Sequence, residues 1–486
     1  MVFQKKLAAV MFYAALPLLL PLFYSLYMND GAVFPLGITI LLLAFPAFPD
    51  VLGHTIDQVK SVLNHILHPD TQWNFASFIR FREMEKEIAT LRLGEVLALT
   101  ALAWLIVPLI SSMPYLYYGF TPVDAVFESV SGWTSTGLSA VASIENLPSS
   151  IIFFRSITQW IGGLGIVIVM LVVLKGTEAA LFLRAEGRES TEIGVGKTVG
   201  MIWNIYIVLT IIGIILLMFL GIGAFDSVNL SMTGIANGGF FPFDSYDFTL
   251  LQEFALAGIM FAGATCFLFY KNIAAFDFKK AFLDEEFILY VLVALGSIIL
   301  IAIIGGEDLS NSILNAISAI ACGGFTIGDL SVMHSFSIYI LILLMMCGGM
   351  LGSTTGGLKL QRILVILKTM MMDVKWSFLP SGTVRVLKIN GQPVGSEAFA
   401  QSATFAFSYF VLFLLSAGAF IAVGTAIEDS MFLVASAMGN VGLSTIQIYA
   451  LSPLAKIFLC LLMYLGRIEI FPFLALAGMV MNRLRR

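Results

Sequence analysis

The sequence predicts an all-α membrane protein with ten transmembrane helices plus four re-entrant helices, built as four helix–re-entrant-helix–helix repeats with pseudo-fourfold symmetry. Three observations predict it. With 59% hydrophobic and 12% charged residues among 486, most of the chain cannot face water. Apolar runs of about 20 residues, long enough to cross a bilayer as helices, recur along its length. Finally, an acidic or amide residue is followed thirteen positions later by glycine four times: Asp124 to Gly137, Asp226 to Gly239, Asn311 to Gly324 and Asp429 to Gly442. One such match is unremarkable in a chain with 43 glycines, but four with the same internal spacing argue for duplication.

In chain order, the spans are expected at 7–27, 33–50, 93–113, 153–175, 200–222, 251–271, 286–305, 337–368, 398–424 and 454–478. The first follows Lys5 and Lys6 but lacks a small-x-small cleavage site, so it reads as a retained anchor. The chain divides into an N-terminal helix pair with a cytosolic linker (1–92) and four repeats, at 93–175, 200–271, 286–368 and 398–480. Basic residues gather at the N-terminus, in 60–92, 175–197, 271–280 and 362–388, and at the C-terminal end. By the positive-inside rule those stretches and both termini are cytoplasmic, and the loops carrying the thirteen-residue units face outside.

Each unit is too short to span, and it reads as a half-helix dipping into the membrane. Thr121-Pro122-Val123-Asp124 has the form of a helix start, with Thr as N-cap and Pro at the first position. Asp226, Asn311 and Asp429 place a capping-type side chain near their own starts, where the dipole favours negative charge. After about three turns the glycine, free to take positive φ, lets the chain leave in extended form. Non-helical backbone at membrane depth must be buried in protein or line a watery cavity. Four such loops on one axis form a ring of carbonyl oxygens able to replace the hydration shell of a monovalent cation. A hydroxyl sits seven positions after each Asp or Asn (Ser131, Thr233, Ser318, Ser436), where it is expected to bond back to its own helix.

A second glycine follows each first one: Gly162 at 25 residues, and Gly263, Gly348 and Gly466 at 24. Gly162 and Gly263 read as close-packing positions. In the third repeat, CGGMLGSTTGGLKLQR (347–362) interrupts a membrane helix, and an intramembrane loop is expected. In the fourth, GRIEIF places Arg467 and Glu469 in an apolar run, where charge faces a cavity or a partner. The loop residues Gly348, Gly349, Gly352, Ser353, Thr354, Thr355, Gly356 and Gly357, together with Arg467, form the expected gate below the filter. The alternative for Arg467 is a structural pairing with Glu469 or a helix carbonyl. Lys359 is expected to snorkel toward the cytoplasm.

Other functional classes lack support in the sequence. Cys266, Cys322, Cys347 and Cys460 show no metal-ligand spacing and read as packing residues. His54, His65, His68 and His334 form no ligand motif, and no Ser or Cys has an evident base, so no enzyme is indicated. The string IGGLGIV lies inside a span and fails the context test for a dinucleotide site. Residues 381–395 read as a hairpin turning at Asn390-Gly391, either a docking element or a plain connector.

QWIGGLGI (159–166), GSTTGGLKLQRILVILK (352–368), GRIEIF (466–471) and the four glycine loops resemble the Trk/Ktr/HKT superfamily of potassium transporters, closest to the TrkH type, over roughly residues 90–480. The resemblance implies potassium uptake across the cell membrane through a channel-like pore, with potassium as substrate and no cofactor in this chain. It also implies a homodimer in the lipid bilayer and separate cytosolic nucleotide-binding regulatory subunits, with no nucleic-acid partner. It puts the potassium-binding filter at Thr136, Gly137, Gly238, Gly239, Gly323, Gly324, Val441 and Gly442, the gate at 348–357, and the family's intramembrane arginine at Arg467. Serine replaces the first filter glycine in sodium-preferring plant relatives, so Gly137 implies potassium preference. The competing reading is an ion-coupled secondary symporter moving potassium or sodium with protons, because broken helices and intramembrane charges also build alternating-access sites.

Overall fold

The computed structural model describes residues 2–47, 93–173, 195–244, 246–378 and 387–468, with a few positions between 473 and 481. The basic stretches at 60–92 and 175–194, the first part of 381–395, and Glu469 lie outside the described residues.

The described chain is a helical bundle with one small hairpin. An N-terminal pair, Val2–Ala15 running into Leu19–Met28 and then Val33–Ala44, packs on the first repeat through Leu18, Leu36, Tyr115 and Phe154. The first repeat comprises Leu93–Ile110 with Met113–Tyr117, the short helix Pro122–Trp133, and Ser149–Val173. The second comprises Val195–Phe219, Ala224–Ile235, and Leu250–Gly263 followed by Phe267–Ala274. Glu285–Ile303, Leu309–Ala321, and Ser335–Cys347 with Leu360–Trp376 make up the third. Ser396–Ala422, Ile427–Gly439 and Pro453–Ile468 complete the fourth.

Among the described residues, five helices are long and apolar enough to cross a membrane, or six if one bent pair counts as a span; the expected spans at 33–50, 153–175 and 454–478 run beyond the described residues. That bent pair is the expected 251–271 span, which turns by 96° between Gly263 and Phe267. The bend has a physical cause. The carbonyls at the end of Leu250–Gly263 have no partner in their own helix, and the third repeat satisfies them: Met350 N–H donates to Ala264 O (3.1 Å) and Thr354 Oγ1 to Gly263 O (3.0 Å). In the third repeat the second helix stops at Cys347 and resumes at Leu360, so neither piece of the expected 337–368 span forms one continuous crossing helix.

The hairpin, Leu387–Ile389 against Gln392–Val394, turns at Asn390-Gly391 as the sequence indicates. Both turn residues have positive φ (50° and 76°), as a tight two-residue hairpin loop requires. It sits at the start of Glu285–Ile303, where Asn390 Nδ2 donates to Asp284 Oδ2 (2.6 Å) and Glu285 N–H donates to Asn390 Oδ1 (2.9 Å).

Candidate functional site

The four short helices end in the same way. In each, the amide five residues beyond the repeat hydroxyl closes back on that residue's carbonyl: Thr136 on Ser131, Gly238 on Thr233, Gly323 on Ser318 and Val441 on Ser436, at 2.7–2.9 Å. The residue before each closing amide is left-handed: Ser135 (φ 49°), Asn237 (50°), Cys322 (56°) and Asn440 (53°). This is a Schellman ending, in which one αL residue reverses the chain and occupies the orphan carbonyls. The reversal therefore falls two residues before the glycine that the sequence suggested. Asparagine tolerates that conformation better than most residues, which accounts for two of the four.

The glycines then take positive φ themselves, at 92°, 76°, 72° and 97° for Gly137, Gly239, Gly324 and Gly442. Their surroundings close a ring. A Cβ on Gly137 would lie 2.2 Å from the carbonyl oxygen of Gly238, one on Gly239 3.0 Å from that of Gly323, one on Gly324 2.4 Å from that of Val441, and one on Gly442 2.2 Å from that of Thr136. Each glycine thus faces the carbonyl before the next repeat's glycine, in the order first, second, third, fourth and back to first. A side chain at any of the four would meet both a backbone clash and an unfavourable φ. The structure brings all eight sequence-selected residues of these loops together.

The repeat hydroxyls are not equivalent. Ser131 and Ser436 accept from the amides of Gly137 and Gly442, both at 3.0 Å. Thr233 bonds back to Asn229 O (2.9 Å), the expected pattern, and Ser318 Oγ makes no hydrogen bond. Capping is also less uniform than expected. Thr121 caps the first helix, accepting from Asp124 N–H at 3.2 Å, whereas Asp226, Asn311 and Asp429 make no cap bond in theirs. Asp429 instead accepts from Thr445 Oγ1 (2.6 Å) beyond its glycine.

Against the ends of the second and fourth short helices lies the interrupted segment of the third repeat, buried throughout from Gly348 to Gly357. It is fastened on every side. The Thr354 hydroxyl sits 3.0 Å from Gly263 O, 3.1 Å from Ile235 O and 2.9 Å from the Asn237 side-chain amide. Arg467, 2% exposed, donates from Nη1 to Thr354 O and from Nη2 to Gly162 O, each at 2.7 Å. One guanidinium thus ties the fourth repeat to the loop of the third and to a helix carbonyl of the first. The bond to Gly162 O is the helix-carbonyl pairing that the sequence offered as the alternative for Arg467. These bonds hold the glycine-rich loop in place. Glu286, at the start of Glu285–Ile303, accepts from the loop amide of Leu351 at 2.6 Å.

Lys359 corrects another expectation. Its ammonium does not reach for the cytoplasm; it is 3% exposed and bonds the Thr355 carbonyl and Thr355 Oγ1, the latter at 2.7 Å. The loop carbonyls, freed from helical bonding, offer acceptors closer than any aqueous surface.

The second glycines also sort differently from the sequence reading. A Cβ on Gly162, Gly263 or Gly466 would lie 2.0, 2.4 or 2.2 Å from the carbonyls of Trp133, Ile235 and Met438, the last turns of their own short helices. Gly466 is therefore a packing glycine like the first two. Gly348, at φ 68°, faces Gly356 O instead.

Two ion pairs that spacing did not reveal brace the first repeat. Glu128 and Arg155, both buried, pair through Arg155 Nε (2.9 Å) and Nη2 (2.5 Å) to Glu128 Oε1, while Glu128 Oε2 accepts from Ala140 N–H (3.0 Å) just past the glycine. The Arg155 guanidinium also lies 4.1 Å from the Phe240 ring centroid, reaching the second repeat. Lys456 pairs with Asp124 at 2.6 Å, joining the fourth repeat to the first. Among the described residues, no group of three or more His, Cys, Asp or Glu side chains is placed to hold a metal ion.

This geometry has counterparts in known proteins. A family model described as TrkH, cation transport protein, matches residues 80–287 and 281–483. An uncharacterised cation transporter of Methanocaldococcus jannaschii is 35% identical over 403 residues, covering 79% of this chain and 82% of that one. The Trk system potassium uptake protein TrkH of Halomonas elongata is 29% identical over 422 residues, covering 81% and 86%. In three dimensions the chain matches the crystal structure of the potassium transporter TrkH from Vibrio parahaemolyticus with a TM-score of 0.80, at 22% identity and with 98% of each chain covered. At that identity the likeness shows the fold, and the family model with the 35% identical relative shows the lineage: the chain belongs to the TrkH family of cation transport proteins.

Proposed function

We propose that this chain takes up potassium across the cell membrane through a channel-like pore. Its filter is the ring of four glycine loops, and its gate is the 348–357 segment with Arg467. The cyclic arrangement supports this reading most. Four carbonyls, from Thr136, Gly238, Gly323 and Val441, each abut the preceding repeat's glycine, and each of the four short helices closes on the residue that carries its ring carbonyl. Carbonyl rings of this kind substitute for the hydration shell of an alkali ion, and helix C-termini add partial negative charge. Below it, the buried guanidinium of Arg467 presents a positive charge to any cation leaving the ring, and the loop it holds occupies the interior. The names of the Trk relatives agree with potassium as the ion.

The partners belong to the same proposal. A homodimer with termini and hairpin on the cytoplasmic side leaves the hairpin accessible to a separate nucleotide-binding regulatory subunit. From the hairpin a bonded path runs inward: Asn390 to Asp284 and Glu285, then the adjoining Glu286 to Leu351 in the gating loop. Docking on the hairpin can reach the gate through those contacts. The test is flux of potassium, rubidium and sodium in proteoliposomes, with and without an imposed pH gradient. Currents reversing at the potassium equilibrium potential are expected; uphill potassium movement driven by protons or sodium would establish the symporter instead.

A further inference from the structure

The fourfold ring is broken at one buried position. Three residues before each second glycine stand Gln159, Met260, Met345 and Met463, so three repeats carry methionine where the first carries glutamine. All four are fully buried. Only the glutamine has hydrogens to donate.

Its side chain grips the second repeat's loop on both sides of Gly239. Nε2 donates to the carbonyl of Gly238 at 2.5 Å, and Oε1 accepts from the amide of Phe240 at 3.1 Å. The fit excludes any side chain on the loop residue, since a Cβ at Gly238 would lie 2.5 Å from Gln159 Cδ. That explains why the second repeat has glycine where the first and fourth have Thr136 and Val441. In the third repeat the counterpart is apolar: Met260 fills the space beside Gly323, with its sulfur 2.0 Å from where a Cβ would stand. Hence one of the four ring carbonyls is held by a side-chain amide, whereas the methionine side chains at the other three positions offer no such donor.

We propose that Gln159 is a selectivity-positioning residue: by bonding the Gly238 carbonyl and the Phe240 amide, it fixes the direction and field of one ring oxygen and makes that one unlike the other three. A carbonyl tied to an amide donor rotates less and offers less of its field to an ion, so the loop is held at the spacing that suits the larger alkali ion. With the tie removed, the loop can close on a smaller ion. The inference rests on the reading of the ring as the filter.

The test is Gln159→Met, which installs the side chain of the other three repeats at nearly the same length. In proteoliposomes, with flux normalised to folded protein because the buried Phe240 amide loses its acceptor, the ratio of potassium to sodium flux is expected to fall about fivefold. Gln159→Glu keeps the oxygen facing Phe240 N–H but has no amide hydrogen for Gly238, and it carries the same expectation should the methionine variant fail to fold. An unchanged ratio, or a loss of flux shared equally by both ions, overturns the inference. Gly137→Ser measured alongside separates the two levels: if it too leaves the ratio unaltered, the filter reading fails, whereas an altered Gly137→Ser with an unaltered Gln159 variant sinks only the role given to Gln159.

Discussion

Removing the Arg467 side chain should open the pathway. Arg467 makes two hydrogen bonds of 2.7 Å, to Thr354 O in the loop and Gly162 O in the first repeat. Hydrogen bonds from a charged donor contribute about 1.5–3 kcal/mol each, and only the bond to Thr354 bears on the loop directly. Counting that bond alone, at about 2 kcal/mol, Arg467→Ala shifts the loop's closed-to-open ratio about thirtyfold. The variant also removes a buried positive charge. Arg467→Lys separates the two contributions, because lysine keeps the charge but is a point donor that cannot span two carbonyls as the guanidinium fork does. Rubidium uptake into proteoliposomes, normalised to folded protein, is the assay. We expect Arg467→Ala to raise flux by an order of magnitude, with Arg467→Lys between it and the parent. Unchanged or reduced flux in well-folded Arg467→Ala would refute both the tether and the barrier.

The remaining expectations concern the supports of the ring. Glu128→Ala leaves buried Arg155 unpaired, a loss that costs about 3–5 kcal/mol; it should lower the denaturation midpoint and speed hydrogen exchange at Ala140, and a midpoint unmoved from the parent would contradict the bracing role. Asp244 accepts from Ser143 Oγ (2.6 Å) and Ile144 N–H (2.7 Å), joining the loops that follow the first and second short helices. Burial pushes its carboxyl up, but the donors Ser143, Ile144 and Glu145 and the Arg155 charge outweigh that and hold it below its ordinary value. Its contribution is therefore complete above the ordinary carboxylate pKa and lost as pH falls through the lower folded value. Asp244→Asn should flatten the acid limb of a stability-against-pH curve, and an unaltered limb would remove Asp244 from the account. Asn390→Ala should increase exchange at the Leu351 amide if hairpin and loop are connected, while Lys388→Ala, on an exposed hairpin side chain, should not; equal effects from both would break the connection.

Much of the architecture was legible because it repeats. The thirteen-residue spacing located all four loops, and the glycine-rich 347–362 string marked where the third repeat leaves helical form, since neither signal depends on distant partners. What spacing could not supply was partner identity. The bend at Gly263 is invisible locally: Leu250–Gly263 is a good apolar helix, and it turns because Met350 and Thr354, about ninety residues on, take its last carbonyls. Lys359 misled for the same reason, because its acceptors exist only once the loop has formed. The left-handed residues were readable in principle. Aligning the four segments puts Ser135, Asn237, Cys322 and Asn440 in one column, and two asparagines there signal a helix ending. The same alignment exposes the methionine column broken by Gln159.

The central claim is that peptide oxygens from the four glycine loops coordinate the transported ion. Anomalous diffraction from crystals grown in rubidium or thallium tests it most directly. A peak is expected on the axis between the carbonyls of Thr136, Gly238, Gly323 and Val441, and it should be displaced by excess potassium. Transport-competent protein with no peak in that ring, or with the heavy ion held at a site elsewhere among the helices, would contradict it.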